Sequence, residues 1–494
     1  MATSPLPTRP RRRLRVGVNA EHANYRWWAL SCTSFGMLLA TVNSGTLIIA
    51  LPNLERALHA SLLELVWVII AYIIASTVLV MSAGRLSDLF GRKRAYVAGF
   101  VVFSLASLMA GFASSGGELI GWRVLQGVGG ALIFANASAI VTDAFPVEEL
   151  GLAMGTNTMV AAVGLVIGPV LGGALVTIGW SWVFWFNVPL GALGCLWAGL
   201  VLRDLVRHDS ERGLDIAGTL SCVIGLTSLT FALSKGGLTG WENRYVIGGL
   251  IAAAIFIPLW VQVERTTTAP MLDLTIFHNR LFAAAAAAAF INGLARFALT
   301  FLFVFYFQGP QGQDPITAGI ELAPMAGGMV VASPIAGRIA DRHGSRMLAA
   351  LGMLISAVAL AGMTTLGVET PYWESAIWLA LVGIGSGVFM SPNTAAMMAA
   401  VPAHRRGVAS GARTMLQNMG AVLSISFVMA VITSAVPKNV LFSIFSGVTS
   451  GLDARQLAPF IDNMHTALWS LCAVSMVGCV ISLLRPKHVV EAVA

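Results

Sequence analysis

Charge is scarce in this chain. Of its 494 residues 11% are Asp, Glu, Lys or Arg and 57% are hydrophobic. A water-soluble chain of this length could not hide that much apolar surface, so lipid is the solvent for most of it. Cysteine is also sparse, with five residues at Cys32, Cys195, Cys222, Cys472 and Cys479. All five fall inside apolar runs without metal-ligand spacing, which points to buried thiols and away from disulfides or a metal site. The eight histidines lie in loops, tails and run ends and form no catalytic or metal pair. No G-x-x-x-x-G-K-[ST] loop occurs, and no polar stretch could house a nucleotide-binding domain, so ATP-driven transport is disfavoured and no cofactor is expected. A cleavable signal is not expected at the start of the chain, since Arg9, Arg11, Arg12, Arg13 and Arg15 stand more than ten residues before the first apolar run. The formal charge of +7 reads as basic loops at a membrane surface rather than as nucleic-acid binding.

What the chain has is long apolar runs. A membrane helix needs about 20 such residues. Fourteen runs qualify: 27–51, 63–83, 95–114, 119–143, 153–177, 182–202, 215–234, 245–263, 281–307, 316–336, 347–367, 374–397, 411–435 and 465–484. An even count puts both chain ends on one side. Basic residues crowd the loops on that side, among them Arg85, Arg92, Lys93, Arg94, Arg203, Arg265, Arg280, Arg338 and Arg346. The opposite loops hold only Arg56, Lys235, Arg244, Lys438 and Arg455. Both termini are therefore expected in the cytoplasm, with the chain in the cell membrane. Most tryptophans sit near run ends, where indole rings anchor to the interface. The longest stretch outside the runs, 436–464, is short and carries no catalytic cluster, so an enzyme is not expected.

Two charged turns repeat. Gly84-Arg-Leu-Ser-Asp-Leu-Phe-Gly-Arg-Lys-Arg94 joins the second and third runs, and Gly337-Arg-Ile-Ala-Asp-Arg-His-Gly-Ser-Arg346 joins the tenth and eleventh. Shared residues at shared offsets indicate an internal duplication. The expected fold is all-α: two six-helix bundles, 27–203 and 281–484, around a central cavity. Two inserted helices occupy 204–280, and tails occupy 1–26 and 485–494. Gly84 and Gly91 suit a tight turn, and Asp88 can face a helix N-terminus or an arginine.

Three further groups stand out. Arg123 and Gln126 lie a turn apart in the fourth run; Arg123 either acts inside the membrane or snorkels to the nearby interface. In the fifth run Gly164, Gly168, Pro169, Gly172 and Gly173 make a flat, small-residue face. Arg296 and Glu321 are ionisable residues inside the ninth and tenth runs. They either face the cavity together, with Glu321 binding a proton or a cationic group, or Glu321 sits in water at the helix mouth.

The first charged turn resembles motif A of the major facilitator superfamily, G-x-L-x-D-x-x-G-R-[KR]-[KR], with every position filled. Gly337, Asp341 and Gly344 mark a degenerate copy. Ile120–Gly130 resembles motif B, and Gly164–Gly173 resembles motif C, the antiporter motif of exporting subgroups. Fourteen runs narrow the resemblance to the drug:proton antiporter branch, over residues 27–484. The resemblance implies that Gly84, Arg85, Asp88, Gly91, Arg92, Lys93, Gly337, Asp341 and Gly344 form a conformational latch with charge pairs between the bundles. It links Arg123 to proton transfer. It implies efflux of hydrophobic or amphipathic compounds, drugs or similar, by proton antiport in a monomer. Two positions depart. Ser181 replaces the usual Arg in Trp180-Ser-Trp-Val-Phe184. Asn43 stands where the branch carries an Asp in L-D-x-T-x-V-N-x-A-L-P, and an amide cannot release a proton. Coupling then runs elsewhere, or the protein exports or facilitates a lipid or metabolite without protons.

Overall fold

A computed structural model describes residues 24–145, 149–203, 215–267, 274–401, 406–437 and 454–486, with positions 270, 272, 440 and 444 between them. Both expected tails lie almost wholly outside the described residues. Among the described residues sixteen α-helices follow one another, with a short 3-10 helix at Leu274–His278. In order they are α1 Tyr25–Leu58, α2 Leu62–Phe90, α3 Arg92–Ala110, α4 Gly116–Ala144, α5 Leu150–Ile178, α6 Trp182–Trp185, α7 Asn187–Val201, α8 Ile216–Thr239 and α9 Arg244–Thr266. Then come α10 Arg280–Gln308, α11 Pro315–Glu321, α12 Ala323–His343, α13 Ser345–Met363, α14 Tyr372–Ala399, α15 Arg406–Ala435 and α16 Ala454–Leu483. Helices fit lipid because they satisfy every backbone group internally.

Thirteen stretches among the described residues are long and apolar enough to cross a bilayer. Two of them are split: α6 and α7 meet at Phe186, and α11 and α12 meet at Leu322. The expected fifth crossing is α5, 29 residues long; its Ile167–Ile178 part is apolar, while several side chains before it lie outside the description. With α5 there are fourteen crossings among the described residues. Both described chain ends therefore share one face, termed here the terminal face; the opposite one is the far face. The 436–464 stretch differs from expectation: α16 begins at Ala454, eleven residues before the apolar run, because Gln456, Asp462 and Asn463 sit on a helix whose other side is buried by Leu457, Phe460 and Ile461.

The two halves pack by the same rule. In the first half α1 lies on α5, α2 on α4, and α3 on α4 and α7; in the second, α10 lies on α15, α12 on α14, and α13 on α14 and α16. Between halves, α5 meets α11 and α12 while α15 meets α2, again a matched exchange. The α8–α9 hairpin joins the body through α8, against α15 and α2.

The repeated turns share one backbone device. Gly91 (φ 99°) and Gly344 (φ 82°) each end one helix and start the next. Each donates its N–H to a carbonyl four residues back, Ser87 or Ala340. That φ is costly for any residue with a Cβ. Gly84 has no such role: it lies inside α2, and a Cβ there would meet nothing within 4 Å. The turn needs one glycine, not two.

Candidate functional site

A polar chain runs through the first half. Asn43 of α1 accepts, at Oδ1, from Gln126 Nε2 of α4 at 3.1 Å and from Asn187 Nδ2 of α7 at 3.1 Å. Gln126 Nε2 also donates to Ser107 Oγ of α3 at 2.6 Å. The Gln126 carbonyl accepts from the Arg123 guanidinium one turn away. Arg123 Nε donates to the Val68 carbonyl of α2 at 2.9 Å, and its guanidinium lies 4.5 Å from the Tyr72 ring centre. Arg123, Gln126, Asn43, Asn187 and Ser107 are all buried. Arg123 does not snorkel: only 1% of it is exposed, and α2 holds it. No carboxylate among the described residues pairs with it. Its charge is met by a carbonyl, an amide oxygen and an aromatic face, which satisfies the desolvated group without an ion pair. Asn43 fits as a double acceptor, while its own Nδ2 finds no partner.

On its other side α1 forms a seam with α5. A Cβ on Gly168 would sit 2.9 Å from Gly45 Cα, and one on Gly172 would sit 2.5 Å from the Thr46 carbonyl oxygen. Two residues thus separate the amide clamped by α4 and α7 from the backbone that carries α5. The seam continues across the halves. A Cβ on Gly173 would approach the Pro315 carbonyl oxygen to 2.6 Å, and one on Gly319 would approach that of Pro169 to 2.5 Å. Gln308 of α10 donates to the Ile49 carbonyl at 3.3 Å. These contacts lie toward the far face and hold the halves together there. Asp314 caps α11, accepting from Ile316 N at 2.9 Å, Thr317 N at 3.2 Å and Thr317 Oγ1 at 2.5 Å. The Thr317 hydroxyl and amide hold the Asp314 carboxyl below its usual range.

Two of the motif-A bases reach partners within the first half. Arg92 pairs with Asp143 and donates to the Ala139 carbonyl at 2.9 Å, both on α4. Lys93 donates to the Gly199 carbonyl of α7 at 2.6 Å. They brace the start of α3 inside the first half, because Gly91 aims that first turn back across α4 and α7. The side chains of Arg85, Asp88 and Asp341 lie outside the described residues.

In the second half Arg296 and Glu321 do not pair. No ion pair joins them, Arg296 packs 4.7 Å from the Phe297 ring centre, and Arg296 Nε and Glu321 Oε2 have no hydrogen-bond partner. Arg296 is twelve residues from the end of α10, roughly 18 Å along the axis, whereas Glu321 is about 10 Å into its crossing. Different depths keep them apart. Glu321 is shielded, with 7% exposure, and its carbonyl accepts from the Tyr372 hydroxyl at 3.4 Å. The sequence reading passed over Arg413. It lies within a crossing and donates to Gln417 Oε1 at 3.0 Å, one turn on. Arg with Gln a turn away in an apolar run is the signature that marked Arg123, and it was available here too.

The Major Facilitator Superfamily profile matches residues 33–425. The chain belongs to that superfamily. The tetracenomycin C resistance and export protein of Streptomyces glaucescens is 30% identical over 418 residues, covering 83% of this chain and 76% of its own length. The multidrug resistance protein Stp of Mycobacterium tuberculosis is 32% identical over 412 residues, covering 82% and 75%. A bacterial homologue of the human lysosomal transporter Spinster, solved inward-facing and unoccupied, superposes with a TM-score of 0.68 at 15% identity, covering 94% of this chain and 97% of that one. That likeness concerns the fold. The protein is a multi-pass membrane transporter of the superfamily, and the drug-export relatives match the resemblance drawn from its motifs.

Proposed function

We propose that the protein exports hydrophobic or amphipathic small molecules from the cell by alternating access, in exchange for inward-moving protons, and that it is not an enzyme. The observation that carries this reading is the continuous small-residue seam of α5, laid on α1 by Gly168 and Gly172 and on α11 by Gly173. A helix that touches both halves through glycine can slide with little steric penalty. The relatives' printed roles in export and resistance point the same way. The bundles are 27–203 and 281–484, with 204–280 inserted, and rocking between them exposes the site to each side in turn. The terminal face is cytoplasmic, since Arg92, Lys93, Arg203, Arg265, Arg280, Arg338 and Arg346 flank it. A monomer suffices. Glu321 is the proton carrier, a carboxylate without a hydrogen-bond partner at Oε2, beside the far-face contact.

Reconstitution in liposomes tests this. An imposed proton gradient drives drug accumulation against its concentration gradient, and an uncoupler abolishes it. Downhill movement of drug that ignores the uncoupler refutes the antiport. The second reading, export or facilitated passage without protons, is favoured by Asn43, whose neighbours in the polar chain are neutral apart from the permanently charged Arg123.

A further inference from the structure

Inside the second half α10, α14 and α15 converge. Gly293 of α10 lies against the Gln417 backbone, and Gly420 of α15 against the Phe290 carbonyl and the Leu294 amide. Asn393 of α14 donates to the Ala285 carbonyl of α10 at 3.1 Å, and Gln417 Nε2 reaches Met390 Sδ of α14 at 3.9 Å. Two arginines lie beside this contact. Arg413 precedes Gln417 by one turn on the same face. Arg296 lies about 60° around α10 from Gly293, which faces α15, and about 40° from Asn292, whose amide reaches Met353 of α13. It therefore points between α15 and the α13–α14 side.

Both guanidiniums lack a counter-ion. Arg413 donates only to neutral oxygens, Gln417 Oε1 at 3.0 Å and Thr414 Oγ1 at 3.5 Å, and its Nε has no partner. Arg296 is 8% exposed with Nε unpartnered. No carboxylate among the described residues pairs with either. α10 and α15 run parallel, and the offset of three plus four residues about the Gly293–Gln417 contact separates the two by roughly 10 Å along the axis. Like charges without a counter-ion repel and are expensive in a membrane interior.

We infer that Arg296 and Arg413 form the recognition site for an acidic group on the cargo, so that the compounds carried are organic anions, carboxylates or sulfonates on an apolar aromatic body. The inference rests on the export reading for its biological meaning, but the binding site stands on its own geometry. Guanidinium groups suit oxyanions through paired N–H donors, and an anion bound here removes the repulsion as well as the desolvation cost.

Two xanthene dyes of similar size test it: fluorescein, an anion at neutral pH, and rhodamine 123, a cation. Binding is read by fluorescence anisotropy, with the full-length protein in phosphatidylcholine nanodiscs. The wild type is expected to bind fluorescein about tenfold tighter than rhodamine 123, the effect of one net charge contact in a partly shielded site. The double substitution Arg296→Gln and Arg413→Gln should erase that preference, and Arg296→Lys with Arg413→Lys should keep it. Equal binding of the two dyes by the wild type, binding of neither, or a Gln variant that melts like the wild type and keeps the preference overturns the inference. Because the wild-type comparison needs no variant, misfolding of a mutant leaves the test intact. Fluorescein binding without export of either dye from vesicles refutes the export reading and leaves the anion site standing. Export of rhodamine 123 without fluorescein binding does the reverse.

Discussion

Asn43 receives the Gln126 side-chain amide at 3.1 Å, and through Gln126 it is joined to Arg123. A fixed cation on α4 is thus tied to the middle of α1 by neutral groups only.

Gln126→Leu removes the link while keeping the volume. It leaves one Arg123 guanidinium nitrogen and one acceptor site on Asn43 unsatisfied in a buried site, at about 1–3 kcal/mol for each. The expected outcome is a lower melting temperature in detergent, with transport reduced at matched protein levels. A variant as stable as the wild type would show that the chain contributes nothing to the bundle.

Asn43→Asp keeps both accepted hydrogen bonds and adds a titratable charge near Arg123. The variant is expected to fold, and its transport should depend on the imposed pH gradient more steeply than that of the wild type. Equal pH dependence of the two proteins in liposomes would mean that position 43 does not sense protons in this chain.

Gly173→Val places methyl groups against the Pro315 backbone, where even a Cβ would lie 2.6 Å from the carbonyl oxygen. Overpacking here pushes α5 away from α11. Spin-label pairs across the far face should report a longer distance, and export should fall about tenfold or more, an energy of roughly 1.4 kcal/mol. An unchanged distance distribution would separate this seam from gating.

Glu321→Gln is close in shape and cannot release a proton. Substrate binding is expected to persist while uphill transport driven by a proton gradient is lost. Full antiport in the variant would remove Glu321 from the coupling path.

The Asp314 cap supports the same helix, α11. Its carboxyl is held below the usual range by the Thr317 hydroxyl and amide. A folded-state value below the unfolded one means that its stabilisation is present above the unfolded value and is lost as pH falls through the folded one. The cap therefore holds at any neutral pH. Asp314→Ala should loosen α11 by about 1 kcal/mol, and Asp314→Asn by much less. Hydrogen exchange at Ile316 and Thr317 measures both.

The sequence by itself determined the membrane fold, the fourteen crossings and the internal duplication, because apolar length, basic-loop asymmetry and the Gly91 and Gly344 turns act locally along the chain. It also marked Arg123, Gln126, Asn43 and the α5 glycines, since a charge, an amide or a small face inside an apolar run is conspicuous without any neighbour. Partnership was beyond it. That Asn43 is a double acceptor for α4 and α7, that Arg92 and Lys93 brace their own half, and that Arg296 and Glu321 stand apart were decided only by tertiary packing. Hydrogen bonds and ion pairs between helices depend on helix rotation and relative depth, and periodicity within one helix fixes neither for its neighbour.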